Sequence, residues 1–244
     1  MKTFGRPGKA PCRPSPQQYR YDRDLTPALP RERQSTDLKE IMKLYYSAGA
    51  CSLAPHIVLE ESGLAYEALS APTKTHKLED GTDYYTINPL GYVPYLTLDD
   101  GRGLHEGPAI TQYIADLAPA SQLAPANGTF ERYKLQEWLT FIGTELHKGG
   151  FSPLFSPATP ADFKPSVMER LSSRLQWVEG ELAGKQYLMG DQFTVADAYL
   201  FTVTNWAPYV ALDISGLPNL LAYRARVAAR PAVIAAMKAE GLIK

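Results

Sequence analysis

The sequence predicts a small mixed α/β domain followed by an all-α helical bundle, both behind a polar N-terminal extension. Between residues 42 and 118, short apolar runs bounded by glycine and proline alternate with two stretches of helical periodicity. After residue 128 only the helical period remains. The chain has 244 residues, of which 45% are hydrophobic, so it can fill the cores of two small domains.

The extension, residues 1–41, differs in composition from the rest of the chain. It holds nine Lys and Arg residues against five Asp and Glu residues, together with six of the 20 prolines. A polar, proline-rich segment without apolar periodicity is typical of disorder. We favour a wrongly assigned start codon, with synthesis beginning at Met42, and a native peptide from residues 13–41 would contradict it. Cys12 lies in this segment and is given no chemical role.

The α/β part opens with a predicted β-α-β unit. Residues 44–46 form a short apolar run that predicts a strand, and Gly49 interrupts it. A helix follows from about Ser52 and ends at Gly63, after which residues 66–71 alternate as a second strand. Two strands joined through a helix are parallel, with a right-handed crossover.

A polar loop over residues 72–92 separates this unit from a predicted hairpin. Residues 93–98 and 103–105 are its two strands, joined by a turn that contains glycine. A helix begins after Glu106, with apolar side chains at helical spacing. The order β-α-β, loop, β-β-α is the thioredoxin-like arrangement, which we assign to residues 42–122.

Residues 128–244 form the predicted all-helical domain. Apolar residues at helical spacing predict helices over residues 130–148, 165–183 and 220–230. Gly149 and Gly150 are expected to end the first of these, and Pro231 restarts or kinks the last. Thr194 and Asp197 have the spacing of a capping box, so we give Asp197 a structural role. The helix after them is apolar nearly all round, which predicts the centre of the bundle.

Composition argues against several classes of partner and setting. The formal net charge of −1 gives no reason to expect nucleic acid or an anionic membrane. The chain shows no secretory signal and no apolar run near the ~20 residues needed to span a bilayer. Two cysteines are too few for a disulfide framework, so a reducing cytoplasm is the expected setting.

Cys51 is the first candidate for chemistry, because it stands where the first strand turns into a helix. The partial positive charge at a helix N-terminus favours a thiolate, which predicts an acidic, reactive thiol. The alternative is a small buried hydrophobe. Since no second cysteine lies two or three positions away, a local dithiol cycle is excluded, and exchange with an external thiol remains.

Three segments together resemble one known family. Residues 88–96 (NPLGYVPYL) and 104–114 (LHEGPAITQYI) resemble the glutathione-binding half of glutathione S-transferases. Residues 47–52 (SAGACS) resemble its bacterial beta class, whose characteristic residue is a cysteine at this turn. The resemblance covers residues 42–244.

This resemblance implies the roles of four glutathione-binding residues. The Val93–Pro94 bond would be cis, and the exposed Val93 backbone would pair with the cysteinyl part of glutathione. Glu106 and Gly107 would hold the γ-glutamyl end. Gly107 departs from other classes, which often have a serine there, so its contact would come from the backbone N–H at the helix start.

The resemblance also brings a histidine into the site. On spacing alone, a lone helix histidine is more often a surface or core residue. Residues 144–149 (TELHKG), however, match the beta-class pattern in which this residue, here His147, faces the cysteine across the domain cleft. We further expect Tyr46 and Ser52 to supply hydroxyl groups near the sulfur, whereas His56 should lie on the outer face of its helix.

The two remaining parts of the glutathione site are less specific in the sequence. The glycyl carboxylate needs a cation, which in the family is a lysine in the loop after the second strand. Alignment favours His76, with Lys77 as its neighbour, while Lys74 is given the role of an ordinary solvated charge. Thr140 and Thr144 stand where the family lets the partner subunit contribute to the pocket, which implies a homodimer.

The predicted function is therefore a glutathione transferase, with glutathione as co-substrate and without a cofactor or metal. It would add the glutathione thiolate to a small hydrophobic electrophile, or exchange disulfides through Cys51. A glutathione-dependent isomerase or dehalogenase, and a non-catalytic binding or regulatory protein on the same fold, are the alternatives. The electrophile pocket is expected near residues 151–155 and 206–209.

Overall fold

A computed structural model of the chain describes residues 41–244. The predictions made for the extension, including the disorder and the absence of a role for Cys12, lie outside these described residues. No helix among them is both long and apolar enough to cross a bilayer.

A four-stranded mixed sheet forms the first part of the fold. Its strands are β1 (Met42–Tyr46), β2 (Tyr66–Ser70), β3 (Tyr95–Thr97) and β4 (Gly103–His105), in the spatial order β2-β1-β3-β4. β1 pairs with β2 in parallel and with β3 antiparallel. β1 lies inside the sheet because Leu44 and Tyr45, which point to opposite faces, are both buried, each in its own apolar cluster.

Two helices complete this domain. α1 (Leu53–Ser62) connects β1 to β2, and α2 (Gly107–Leu117) follows β4. Gly63 caps α1 in the left-handed conformation, with φ of 67° that glycine adopts without strain. The predicted thioredoxin-like order is confirmed.

The second part of the described chain is all helical, as predicted. Its helices are α3 (Phe130–Phe141), a π-helical segment (Ile142–Phe151), α4 (Ser152–Phe155), α5 (Lys164–Glu181), α6 (Val195–Thr204), α7 (Pro218–Ala228) and α8 (Pro231–Ala239). A short 3₁₀ helix within this part covers Ala207–Val210, and two others, which precede it, cover Tyr84–Thr86 and Pro119–Ser121. The domain limits at residues 122 and 128 stay predictions.

α6 is the centre of this bundle, and a buried capping box begins it. Every residue of α6 is buried. Asp197 accepts a hydrogen bond from the Thr194 N–H at 2.8 Å and another from the Leu188 N–H at 2.9 Å. Burial raises the pKa of Asp197 to about 6, although these bonds lower it. The structural role predicted for Asp197 agrees with this environment.

The prediction that Gly149 and Gly150 end the third helix is wrong. The helix widens there into the π-helical segment and runs on into α4. A Cβ on Gly149 would lie 2.5 Å from the Thr144 carbonyl oxygen, and a Cβ on Gly150 would lie 2.7 Å from Leu171 of α5 and 3.0 Å from the Glu145 carbonyl oxygen. Both glycines therefore permit close packing inside and beside the widened turn.

Candidate active site

The turn between β1 and α1 holds Cys51 in a closed backbone loop. The Ala50 N–H donates to the Ser47 carbonyl at 2.9 Å. The buried Ser52 hydroxyl accepts from the Ser47 N–H at 3.1 Å and donates to the Ser47 carbonyl at 3.2 Å. Because this hydroxyl is used within the turn, the expectation that it faces the sulfur is corrected; the Ser52 backbone N–H faces the sulfur instead.

The helical domain holds the same turn through Gly49. The Gly49 N–H donates to Glu240 Oε2 at 2.9 Å, and the Gly49 carbonyl accepts from Trp206 Nε1 at 2.8 Å. The other oxygen of Glu240 lies 2.9 Å from Nδ1 of His56, which is fully buried. The prediction that His56 lies on an outer face is therefore wrong, because α8 and the residues after it cover that side of α1.

Tyr46 is the last residue of β1. Its ring packs on His56, with 5.4 Å between the ring centroids. Burial raises the pKa of Tyr46, and the charge of Glu240 raises it further. Among the described residues that line the cavities at Cys51, Tyr46 does not occur. The expectation that its hydroxyl serves the thiol stays a prediction.

The Cys51 thiol is less acidic than its place before a helix predicts. Burial raises the pKa of this thiol to about 11. The charge of Lys148 and the backbone N–H groups of Cys51 and Ser52 lower the pKa, but by less than burial raises it, and Glu106 raises it further. The thiol lies 3.4 Å from the Val93 carbonyl oxygen, to which it donates. At pH 7 Cys51 is a protonated hydrogen-bond donor.

Two cavities meet at Cys51 and His147. The larger has a volume of about 690 Å³, and the smaller about 30 Å³. The larger is lined from the helical domain by Ser152, Phe155, Asn205, Trp206, Tyr209, Met237 and Leu242. Residues from both expected segments, 151–155 and 206–209, thus line it, although Phe151 itself is buried behind Trp206.

The smaller cavity contains the four residues predicted for the cysteinyl and γ-glutamyl parts of glutathione: Val93, Pro94, Glu106 and Gly107. The Val93–Pro94 bond is cis, as expected. Glu106 precedes α2 with φ of 67°, an uncommon conformation for a residue with a side chain. Its Oε1 accepts a hydrogen bond from the Tyr92 hydroxyl at 3.2 Å.

Gly107, the first residue of α2, is not required by space. The nearest atom to a Cβ at this position would be Cγ of Pro94, at 3.8 Å. A serine would therefore fit there without contact strain, so the glycine leaves the helix N-terminus open.

His147 completes the site from the π-helical segment. Its Nδ1 lies 2.7 Å from the Tyr199 hydroxyl, and its ring packs against Trp206. Burial and, to a lesser extent, the charge of the neighbouring Lys148 lower the pKa of His147 to about 4, so the imidazole is neutral at pH 7.

Lys148 is a site residue that the sequence reasoning missed. It lines the smaller cavity and lowers the pKa of both Cys51 and His147. Its position directly after His147 was the available signal.

The cation for the glycyl carboxylate, His76 or Lys77, stays a prediction. The His76 ring stacks on Tyr85 at 4.6 Å, and the Lys77 backbone forms a bridge with Asp83. Neither His76 nor Lys77 is among the described residues that line the two cavities, whereas Lys74 lines the larger one.

Thr140 and Thr144 lie on an exposed face of α3 and the π-helical segment. Their hydroxyls donate to the Gln136 and Thr140 carbonyls of their own helix, at 2.7 and 2.9 Å. A contribution of these residues across a dimer interface stays a prediction.

Comparisons with known proteins agree with this geometry. Residues 48–117 match the family model for the glutathione S-transferase N-terminal domain, and residues 144–231 match that for the C-terminal domain. The chain is 50% identical over 201 residues to glutathione S-transferase GstA of Escherichia coli O157:H7, a match over 82% of this chain and 100% of that protein.

Solved structures extend the likeness. A sphingomonad glutathione S-transferase complexed with glutathione is 49% identical, with a TM-score of 0.78 over 82% of this chain and 100% of that one. The bacterial beta-class glutathione S-transferase of Sphingomonas chungbukensis is 48% identical, with a TM-score of 0.79 over the same shares. The chain therefore belongs to the glutathione S-transferase family, in its bacterial beta class.

Proposed function

We propose that the chain conjugates glutathione to a small electrophile at the point where its two cavities meet. The main support for this proposal is that Cys51 and His147 line both cavities. Glutathione would lie on the open surface beside the smaller cavity, whose volume of about 30 Å³ holds only about one water molecule, with its sulfur between these two residues. The electrophile would occupy the larger cavity, so that its reacting carbon faces the sulfur.

The smaller cavity offers groups of suitable chemistry for the tripeptide. The Val93 carbonyl and N–H can pair with the cysteinyl backbone, as strand-like partners do. The Glu106 carboxylate suits the α-amino group of the γ-glutamyl residue. The N-terminus of α2, which Gly107 leaves open, suits its carboxylate, because free N–H groups and the helix dipole favour anions there.

The reaction would break the S–H bond of glutathione, with the proton passing to solvent, form a sulfur–carbon bond, and break the bond between that carbon and the leaving group, which departs. Lys148 supplies a positive charge that stabilises the glutathione thiolate. Cys51, whose pKa of about 11 keeps it protonated, would turn from the Val93 carbonyl and donate to that thiolate. The role of Cys51 is then that of a donor.

His147 would act as a second donor. Burial raises the pKa of the Tyr199 hydroxyl, so it keeps its proton and would donate it to His147 Nδ1, 2.7 Å away. The neutral ring then carries its own hydrogen on Nε2. That N–H can stabilise either the sulfur or a leaving group. Disulfide exchange is less well supported, because it requires the Cys51 thiolate.

We also infer a homodimer in a cytoplasmic setting. The face of α3 that carries Thr140 exposes Phe130 by 73% and Tyr133 by 62%. Two neighbouring exposed aromatic side chains on a helix favour contact with a second copy of the chain. Size-exclusion chromatography with light scattering tests this, and a monomer would contradict it.

Conjugation of 1-chloro-2,4-dinitrobenzene by two Cys51 variants tests the proposed role of the thiol. A hydrogen bond to a charged group contributes about 1.5–3 kcal/mol, so Cys51→Ala should lower kcat/KM by roughly 10–100-fold. Cys51→Ser keeps a donor and should retain most of the activity. Both variants should lose disulfide reduction. A serine variant as inactive as the alanine variant would show that Cys51 acts as a nucleophile.

Retention on immobilised glutathione tests the binding step separately. The wild-type chain should be retained and then eluted by free glutathione. A chain that flows through would point to the non-catalytic alternative.

A further inference from the structure

We propose that the larger cavity selects aromatic electrophiles that carry a carboxylate, and that Lys74 binds this carboxylate. The inference rests on the proposed conjugation reaction and adds the class of its second substrate. It also changes the role of Lys74 from the ordinary surface charge that its sequence context predicts.

The walls of the larger cavity suit a planar aromatic ring. Phe155 and Trp206 meet edge to face, with centroids 5.9 Å apart, and Tyr209 lies beside them with 79% of its surface exposed. Aromatic side chains stack on or edge against a flat ring at such spacings. Met237 adds a polarizable apolar surface.

The charge in this cavity has one sign. Among the lining residues in the described part of the chain, Lys74 is the one that carries a full charge at pH 7. His147 is neutral there, because burial lowers its pKa to about 4. The nearby carboxylate of Glu240 lies behind Gly49, with one oxygen on the Gly49 N–H and the other on His56.

Lys74 is available for an anion. It lies in the loop after β2, next to Thr73, and is exposed. No hydrogen bond or ion pair joins its ammonium group to another residue between 41 and 244. A single cation at the rim of a low-dielectric cavity attracts anions and orients them.

The arrangement orients the substrate as well as attracting it. The residues at the reacting sulfur, Cys51 and His147, line the same cavity as Lys74. A ring held between the aromatic walls would point its reacting carbon to the sulfur and its carboxylate to Lys74. With an aryl chloride, a sulfur–carbon bond forms, the carbon–chlorine bond breaks, chloride leaves, and the thiol proton passes to solvent.

Glutathione itself offers a second source of a carboxylate, at its glycyl end. We favour the electrophile because Lys74 shares a cavity with the aromatic side chains, whereas Val93, Glu106 and Gly107 line the smaller one. The experiment separates the two sources by measuring each substrate's KM.

A matched pair of electrophiles tests the inference: 4-chloro-3,5-dinitrobenzoate and its uncharged methyl ester. The ratio of kcat/KM for the acid to that for the ester is measured in wild type, Lys74→Met and Lys74→Arg. Comparing ratios between variants cancels the different intrinsic reactivities. We expect the ratio to fall about 2–5-fold in Lys74→Met, as for a partly exposed ion pair, and to be kept in Lys74→Arg.

A second experiment measures binding alone and does not depend on catalysis. Quenching of tryptophan fluorescence by 3,5-dinitrobenzoate, which lacks the leaving group, and by its methyl ester should show the same 2–5-fold change in Kd ratio. If conjugation fails while this change is seen, the proposed reaction is wrong and the carboxylate site stands. If both ratios stay constant, the carboxylate inference is overturned. A rise in the KM for glutathione with either electrophile, at constant ratios, would assign Lys74 to the glycyl carboxylate and also overturn it.

Discussion

Cys51 should react slowly with alkylating reagents at neutral pH, although it directly precedes a helix N-terminus. Only the thiolate attacks such reagents. Burial raises the pKa of Cys51 to about 11, so about one molecule in 10⁴ carries the thiolate at pH 7. An exposed cysteine with a pKa of about 8.5 has a few per cent. The expected rate is therefore roughly 300-fold lower, before any shielding by neighbours.

The assay is carbamidomethylation by iodoacetamide between about pH 6 and about pH 10, followed on the Cys51 peptide by mass spectrometry. A Cys12→Ser background removes the second thiol. Shielding lowers every rate by the same factor, so the shape of the pH profile reports the pKa. The rate should rise about tenfold per pH unit over this whole range without levelling off, because the Cys51 pKa of about 11 lies above the highest pH of the assay.

The Lys148→Met variant gives a control with a known sign. Lys148 lowers the pKa of Cys51, so its removal should raise that pKa and slow the reaction further at each pH. A profile that levels off below pH 8 would refute the reasoning, because the helix N-terminus would then outweigh burial.

Glu240→Ala should lower the free energy of unfolding by about 3 kcal/mol or more, since it leaves buried His56 and the Gly49 N–H without their partner. Urea unfolding measures this, and Glu181→Ala, which breaks an exposed pair, should cost less than about 0.5 kcal/mol; equal losses would contradict it. His147 has a pKa of about 4 when folded against 6.5 as the reference, so its contribution to stability is lost as pH falls from 6.5 towards 4. His147→Gln should remove up to ~3 kcal/mol of this pH dependence, and superimposable pH–stability curves would count against the buried neutral imidazole.

Local patterns were sufficient for most of the fold. The β-α-β unit follows from short apolar runs around one amphipathic stretch, and Gly63 marks the end of its helix. The capping box of α6 could be found because its two residues bond each other within one turn. Gly149 and Gly150 misled the prediction, since glycine pairs break helices unless packing requires them.

The details of the candidate site depend on contacts between distant segments. His56 is buried by Glu240, 184 residues later, and no local periodicity carries that information. The acidity predicted for Cys51 came from its helix start alone, whereas burial of the thiol has the larger effect on its pKa. In the loop after β2, local sequence could not show that His76 has a positive φ and stacks on Tyr85, or that Lys74 lines the larger cavity.

The two hydrogen bonds of Gly49 join the turn at Cys51 to residues near the end of the chain. Its partners Trp206 and Glu240 follow it by 157 and 191 residues, so they are translated long after the sheet. Because N-terminal segments fold first during synthesis, a nascent chain can complete its β-α-β unit early. The turn at Cys51 receives these two bonds only when the second domain has been made and has docked. An unfinished chain therefore lacks two of the hydrogen bonds that hold the turn at Cys51.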